Sequence, residues 1–306
     1  GGPVTPAEVS LRDVTLRDGL QDEATIPTDA KLTIYEALVA AGITQLELTS
    51  FVRPDQVPAM ADAEAMCRST GGGAVTRWGL TLNERGIRRA IDVGLRHLQY
   101  VVSVSDTHSR RNAGASTEDA MTALPPIIEL ADSAGAVVEL TLATAWGCPY
   151  EHRVAPDRVA RFAELGQDAG VSAIGLADTI GVAIPSEVTV LVGLVGRATD
   201  LDVGVHLHDT RGLGVANALA GIDAGVRRVD GSVGGLGGCP FAPGASGNLA
   251  LEDLAHVLEE SGVATGVSVT GLIEAAHLAC NAVGRPVTSH VGQAGARFAD
   301  VHVAAR

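Results

Sequence analysis

Short runs of β-branched and apolar residues alternate with longer Ala- and Leu-rich segments along almost the whole chain. This alternation is typical of βαβ units, in which helices connect parallel strands. Eight such units within 306 residues favour a closed α/β fold, the (β/α)8 or TIM barrel, over an open doubly wound sheet. No GxGxxG sequence follows the first strand, so the usual dinucleotide-binding fingerprint is missing. The predicted strands are Val9–Thr15, Gln45–Thr49, Trp78–Leu82, His97–Val102, Val137–Leu142, Ala173–Leu176, Val203–His206 and Arg228–Gly231.

The segments between these strands are predicted to be helical. The eighth barrel helix is assigned to Leu249–Glu260, and Val269–Val283 is predicted as an additional C-terminal helix. We expect a single barrel domain over residues 9–306, because no Pro-, Gly- or Ser-rich linker divides it, and a flexible leader over residues 1–8. The other predicted helices are Asp29–Ala41, Asn83–Val93, Thr117–Ala134, Pro156–Ala169, Pro185–Arg197 and Asn217–Ala224.

Composition narrows the class of protein. Hydrophobic residues make up 46% of the chain and charged residues 19%, as is typical of a soluble globular enzyme. The formal net charge of −14 and the lack of clustered Lys and Arg argue against a nucleic-acid partner. Because neither a membrane-spanning stretch nor a signal peptide is recognisable, we expect a cytoplasmic protein without a membrane partner. Arg110 and Arg111 are candidates for a phosphate contact, although surface charge is the simpler interpretation.

Catalytic groups of a (β/α)8 barrel collect at the C-terminal ends of the strands. His206 and His208 follow the seventh strand two positions apart, so both imidazoles point to the same face. Asp18 follows the first strand, and Asn248 lies at the start of the eighth helix. One carboxylate, one amide oxygen and two imidazoles, without a thiolate, favour a catalytic Mg²⁺ or Mn²⁺ over structural zinc.

Other polar residues near these strand ends have two interpretations each. Arg17 is either half of a surface ion pair with Asp18 or a fixed positive fork for an enolate oxygen. Cys239 lies in a glycine-rich segment and is either an inert small residue or a reactive thiol on a mobile loop. Cys148 is predicted to be structural, and Cys67 and Cys280 to be helix residues facing the core.

Six sequence motifs extend over most of the chain: RDGLQ (17–21), ELTSFV (47–52), GCPY (147–150), ADTIG (177–181), HLHDTRG (206–212) and GGCPFAPGASGN (237–248). Together and in this order, they resemble the 3-hydroxy-3-methylglutaryl-CoA lyase family. The most specific is the last, in which a GGCP loop is followed by GASGN, because it separates the lyases from the related isopropylmalate and homocitrate synthases.

The resemblance implies an enzyme that cleaves a carbon–carbon bond of a 3-hydroxyacyl-CoA, with coenzyme A as part of the substrate. Asp18, His206, His208 and Asn248 would ligate Mg²⁺ or Mn²⁺, and the protein would be a homodimer or a higher homo-oligomer. Further roles implied are enolate stabilisation by Arg17, acid/base catalysis by the Cys239 thiol, support of the metal site by Glu47, and assistance to proton transfer by Asp178 and His206.

The chain departs from the family pattern at two places that bear on the acyl group. Thr141-Leu142-Ala143 stands where the family usually has Tyr-Val-Ser, and His108 stands where a bulkier apolar or aromatic residue is expected. Replacing Tyr by Thr opens space, so the acyl group of the substrate stays undetermined. Two alternatives to a lyase also stay open: a Claisen-type synthase that condenses acetyl-CoA with a 2-oxo acid, and a non-catalytic metal- or CoA-binding barrel.

Overall fold

The computed structural model describes residues 9–238 and 247–297. Within these ranges, eight parallel strands close into a barrel, in which the first strand pairs with both the second and the last. Two very short strands, Gly147–Cys148 and His152–Arg153, form a separate antiparallel hairpin. The barrel confirms the predicted fold class. In chain order the strands are β1 (Ser10–Asp13), β2 (Gln45–Ser50), β3 (Thr76–Thr81), β4 (His97–Ser103), β5 (Val137–Ala143), β6 (Gly147–Cys148), β7 (His152–Arg153), β8 (Ala173–Asp178), β9 (Val203–Leu207) and β10 (Arg228–Gly231).

Helices surround the barrel. The eighth barrel helix, Leu251–Glu260, is followed by Val269–Val283 and by an unpredicted helix, His290–Ala294. The described C-terminal region therefore holds more than the single additional helix expected. Among the described residues, no helix is both long enough and apolar enough to cross a membrane. The helices are α1 (Thr28–Ala40), α2 (Ala63–Ser69), α3 (Glu84–Asp92), α4 (Asp106–Ala113), α5 (Thr117–Thr122), α6 (Leu124–Ser133), α7 (Pro156–Ala169), α8 (Pro185–Ala198), α9 (Gly214–Asp223), α10 (Leu251–Glu260), α11 (Val269–Val283) and α12 (His290–Ala294).

Strand β1 ends at Asp13, earlier than the predicted Thr15. The Asp13 carboxylate accepts hydrogen bonds from the backbone N–H (2.9 Å) and the hydroxyl (2.7 Å) of Thr15, and this local turn breaks the strand. A single π-helical turn, Thr15–Gly19, follows. Such turns are frequent at functional sites.

Two further predictions of secondary structure were wrong. The predicted helix Thr117–Ala134 is two helices, because Pro125 and Pro126 occupy the first turn of α6 and cannot donate the hydrogen bonds that would continue α5. Asn248 does not start a helix but forms an antiparallel bridge with His208, and α10 begins at Leu251. The leader predicted over residues 1–8 lies outside the described residues.

Candidate active site

The C-terminal mouth of the barrel brings the predicted metal ligands together. Asp18 is carried by the π-helical turn after β1, and His206 and His208 lie at the end of β9. Asn248 reaches the same place through its bridge with His208. Residues from distant parts of the chain thus meet where barrel enzymes hold their catalytic groups.

Three donor atoms form a compact triangle at this mouth. Oδ2 of Asp18 lies 3.6 Å from Nε2 of His206 and 3.4 Å from Nε2 of His208, and the two Nε2 atoms are 3.2 Å apart. Ligands on adjacent corners of one coordination sphere, with bonds of about 2.1 Å, lie roughly 3.0–3.4 Å apart. The triangle therefore has the size that a single divalent ion requires.

Asn248 completes the donor set. Its Nδ2 donates to Oδ2 of Asp18 at 2.8 Å and to the carbonyl of Leu236 at 3.2 Å. Its Oδ1 is buried, and no described residue provides a hydrogen bond to it. A buried amide oxygen without a partner is costly unless a ligand satisfies it. The donor set therefore fits Mg²⁺ or Mn²⁺, although oxygen and imidazole ligands do not by themselves select between the two.

The charge on Asp18 suits the binding of a cation. Burial alone would raise the pKa of its carboxyl, but the Arg17 guanidinium and the imidazoles of His206 and His208 hold this pKa well below its usual range. Asp18 is therefore ionised at neutral pH and available as an anionic ligand.

Arg17 is buried, with 7% of its surface exposed, so the interpretation as a surface ion pair is wrong. Nε of Arg17 donates to Oε2 of Glu47 at 2.5 Å, while Nη1 donates to Oδ1 of Asp18. Glu47 is completely buried on β2. Glu47 thus orients the guanidinium beside the metal ligands, where it can neutralise a developing oxyanion.

Two glycines of the GGCP and GASGN motifs pack against each other behind Asn248. A Cβ atom on Gly247 would lie 2.1 Å from the carbonyl oxygen of Gly237. Gly237 itself has φ +110°, and a Cβ there would lie 2.5 Å from Nδ2 of Asn248. Cys239 lies outside the described residues, but the neighbouring Gly238 lines the same cavity as the metal ligands.

That cavity has a volume of about 280 Å³ and holds the residues at which the sequence departs from the family pattern, Thr141, Ala143 and His108. The Thr141 hydroxyl donates to Oε1 of Glu139 at 3.2 Å. Nδ1 of His108 lies 2.7 Å from the Ser103 hydroxyl, and burial lowers the pKa of this imidazole.

Asp178, predicted to assist proton transfer, ends β8. Its two carboxylate oxygens accept hydrogen bonds from the backbone N–H groups of Val182 (2.9 Å) and Ala183 (3.0 Å). Burial raises the pKa of Asp178, and these hydrogen bonds offset only part of the shift. In the described structure, Asp178 thus shapes the loop before α8.

The other predicted polar and cysteine residues do not line the cavity that holds the donor triangle. Arg110 pairs with Asp106 at 2.8 Å, and the guanidinium of Arg111 lies 4.4 Å from the centre of the Tyr150 ring. Cys148 is buried, with Sγ 2.8 Å from the Ser105 hydroxyl, which fits the structural role predicted for it. Cys67 on α2 and Cys280 on α11 are buried helix residues, as expected.

A buried charge network below the metal ligands was missed by the sequence analysis. Arg12 and Arg228 both bind the carboxylates of Glu139 and Asp230, and all four groups lie inside the barrel. The available signal was the presence of ionisable residues within short, otherwise apolar strands, where an unpaired charge is too costly to bury.

Comparisons with known proteins identify the family to which this chain is similar. A family model described as HMGL-like matches residues 8–279. Hydroxymethylglutaryl-CoA lyase YngG of Bacillus subtilis is 38% identical over 290 residues, which cover 93% of this chain and 96% of the relative. The (R)-citramalyl-CoA lyase of Chloroflexus aurantiacus is 37% identical over 306 residues, covering 96% of each protein.

Solved structures give the same result. The structure of an HMG-CoA lyase from Acinetobacter baumannii in complex with coenzyme A and 3-methylmalate aligns with a TM-score of 0.91 at 34% identity, covering 96% of this chain and 97% of that one. The match of the family model over most of the chain and the identity to these relatives establish that the chain belongs to the HMGL-like family, whose hydroxymethylglutaryl-CoA lyase members are carbon–carbon lyases.

Proposed function

We propose that this protein is a divalent-metal-dependent lyase that cleaves a 3-hydroxyacyl-CoA, related to 3-hydroxy-3-methylglutaryl-CoA, into acetyl-CoA and a keto acid. One observation carries the proposal. Asp18, His206 and His208 each offer a ligand atom at the barrel mouth, and these three atoms all lie within 4.8 Å of one another. Arg17, held against Asp18 and Glu47, adds a positive fork beside them. A generic metal site does not need this buried guanidinium, whereas an enolate does.

The chain's own residues have separable roles in this reaction. Asp18, His206, His208 and Asn248 would hold Mg²⁺ or Mn²⁺, which supplies Lewis-acid chemistry that lowers the pKa of the substrate's tertiary hydroxyl. A base takes the hydroxyl proton, a transfer that the resemblance implies Asp178 and His206 assist. The C–C bond then breaks, a ketone forms, and the electron pair becomes the enolate of acetyl-CoA. The Arg17 guanidinium neutralises the enolate oxygen until carbon is protonated.

We assign the protonation of carbon to the Cys239 thiol, because the resemblance implies it and Gly238 lines the same cavity. Asp178 is a weaker proton carrier, since both of its oxygens already accept backbone hydrogen bonds. Its involvement in proton transfer stays a prediction.

The acyl group is best determined by experiment, because two relatives of nearly equal identity are named for different substrates. We propose incubating the purified protein with 3-hydroxy-3-methylglutaryl-CoA, (R)-citramalyl-CoA and longer 3-hydroxyacyl-CoA analogues, with and without a chelator. Acetyl-CoA release would accompany acetoacetate from the first substrate and pyruvate from the second. If none is cleaved with metal present, the lyase assignment is wrong.

The same assay separates the alternatives. Condensation of acetyl-CoA with a 2-oxo acid, without cleavage of any acyl-CoA, would indicate a Claisen-type synthase. Metal binding without turnover in either direction would indicate a non-catalytic barrel. The homodimer and the cytoplasmic location stay predictions, and sedimentation of the purified protein would test the first.

A further inference from the structure

The imidazoles of His206 and His208 differ in what supports them. Both direct Nε2 toward the donor triangle, so each must keep its proton on Nδ1 to bind a metal ion through Nε2. Nδ1 of His208 is buried and has no hydrogen-bond partner among the described residues. Nδ1 of His206 instead faces Oδ2 of Asp230, 3.8 Å away.

The barrel register places this carboxylate beside His206. Asp230 of β10 pairs with His206 of β9 on one side and with Arg12 of β1 on the other. Neighbouring residues in register across parallel strands point to the same face of the sheet. The juxtaposition therefore follows from the strand pairing and not only from the side-chain rotamers.

Asp230 is itself held in place. Its Oδ2 accepts a hydrogen bond from Nη2 of Arg12 at 2.5 Å. Its Oδ1 accepts from Nε of Arg12 at 3.0 Å and from Nε of Arg228 at 3.1 Å. By contrast, an imidazole can rotate within a broad χ2 minimum. A small rotation of His206 is thus the simpler way to shorten the 3.8 Å separation to hydrogen-bonding distance.

We propose that Asp230 is a positioning residue for the metal site: it accepts the Nδ1 proton of His206 and thereby keeps Nε2 deprotonated and aimed at the ion. Carboxylates that orient metal-binding histidines in this way raise metal affinity by about 10- to 100-fold. The inference rests on the metal site of the proposed function, but it does not depend on the substrate or on turnover.

Glu139 offers a matched control. It is as deeply buried as Asp230 and binds the same two arginines, with distances of 3.1 Å to Arg12 and 2.5 Å to Arg228. No hydrogen bond or ion pair joins Glu139 to His206 within the described ranges. Asp230→Asn and Glu139→Gln therefore each remove one negative charge from the same network, and only the first replaces the carboxylate that faces His206. The amide leaves a single oxygen for the N–H groups of Arg12, Arg228 and His206, so His206 loses its ionised acceptor.

The test is isothermal titration of both variants with Mn²⁺ and with Mg²⁺ in the absence of substrate. We expect Asp230→Asn to weaken metal binding about 10- to 100-fold. Glu139→Gln should change metal affinity by less than about twofold, because Glu139 makes no hydrogen bond or ion pair with His206 within the described ranges. Equal weakening in both variants, or none in Asp230→Asn, overturns the proposal. Loss of turnover with unchanged metal affinity in Asp230→Asn also overturns it.

A second measurement needs no stable variant of Asp230. Long-range ¹H–¹⁵N spectra of the ¹⁵N-histidine-labelled, metal-free protein at pH 8 report the tautomer of each ring, and the His206 signals are those lost in His206→Gln. We expect His206 to be the Nδ1–H tautomer. An Nε2–H tautomer contradicts the role of Asp230, even if the protein proves to cleave no acyl-CoA.

Discussion

Substituting alanine for Gly237 tests whether the backbone behind Asn248 is part of the metal site. Gly237 has φ +110°, and an added Cβ would lie 2.5 Å from Nδ2 of Asn248, well inside the 3.4–4 Å of ordinary contact. The backbone of Gly237 is packed against Gly247, so the Asn248 side chain must move instead. That movement breaks its hydrogen bonds to Asp18 (2.8 Å) and to the carbonyl of Leu236 (3.2 Å).

The cost has two parts. A non-glycine residue at such a φ carries about 1–3 kcal/mol of strain, and each lost hydrogen bond costs about 1 kcal/mol. We therefore expect Gly237→Ala to lose about 3–5 kcal/mol of unfolding free energy. Because one metal ligand is displaced, Mn²⁺ binding should weaken at least about tenfold.

Gly225 provides the control, because it has a nearly identical φ of +116° and nothing lies within 4 Å of an added Cβ. Gly225→Ala should lose only the strain of about 1–3 kcal/mol and should bind Mn²⁺ as the wild type does. Urea unfolding and isothermal titration measure the two effects separately. If Gly237→Ala is folded and binds Mn²⁺ as tightly as Gly225→Ala, the packing does not position Asn248 and the reasoning fails.

Three further predictions concern catalysis and pH. Arg17→Gln should lower kcat/KM about 10²- to 10³-fold, the usual effect of removing one oxyanion-stabilising donor; steady-state rates near wild type would contradict its role. Cys239→Ser should abolish turnover while leaving Mn²⁺ affinity intact in titrations, and retained turnover would favour the synthase alternative. Burial raises the pKa of Asp13 from 3.8 to about 7, so the native protein keeps a proton that the unfolded chain releases, and its contribution to stability falls as pH rises from about 4 to 7. Asp13→Asn should therefore gain stability relative to wild type over that range in urea titrations, and parallel pH profiles of the two proteins would refute this.

The strands of the barrel were predictable because hydrophobic periodicity is a local property. The strand runs are rich in apolar and β-branched residues, and most are followed by a helical segment of recognisable pattern. Helix α4 was missed because its sequence, Asp106–Ala113, is almost entirely polar and has no apolar stripe. The π-helical turn that carries Asp18 was missed because it depends on a side-chain contact, the hydrogen bonds from Thr15 to Asp13.

The convergence of the candidate metal ligands was predictable because strand ends in a parallel barrel share one face. His206 and His208 are two positions apart on β9, and this spacing fixes their common direction. The link from Asp230 to His206 was not predictable, because it joins neighbouring strands whose register cannot be read from sequence. Strand pairing is a tertiary property, and only the closed barrel reveals it.

The central claim is that a divalent ion held by Asp18, His206, His208 and Asn248 enables this chain to break a C–C bond. The direct measurement is acetyl-CoA release from the acyl-CoA panel by the purified protein after treatment with a chelator, before and after Mg²⁺ or Mn²⁺ is restored. We predict that chelation abolishes release, that metal restores it, and that His208→Ala protein does not recover with metal. Undiminished release from the fully metal-free protein would contradict the account.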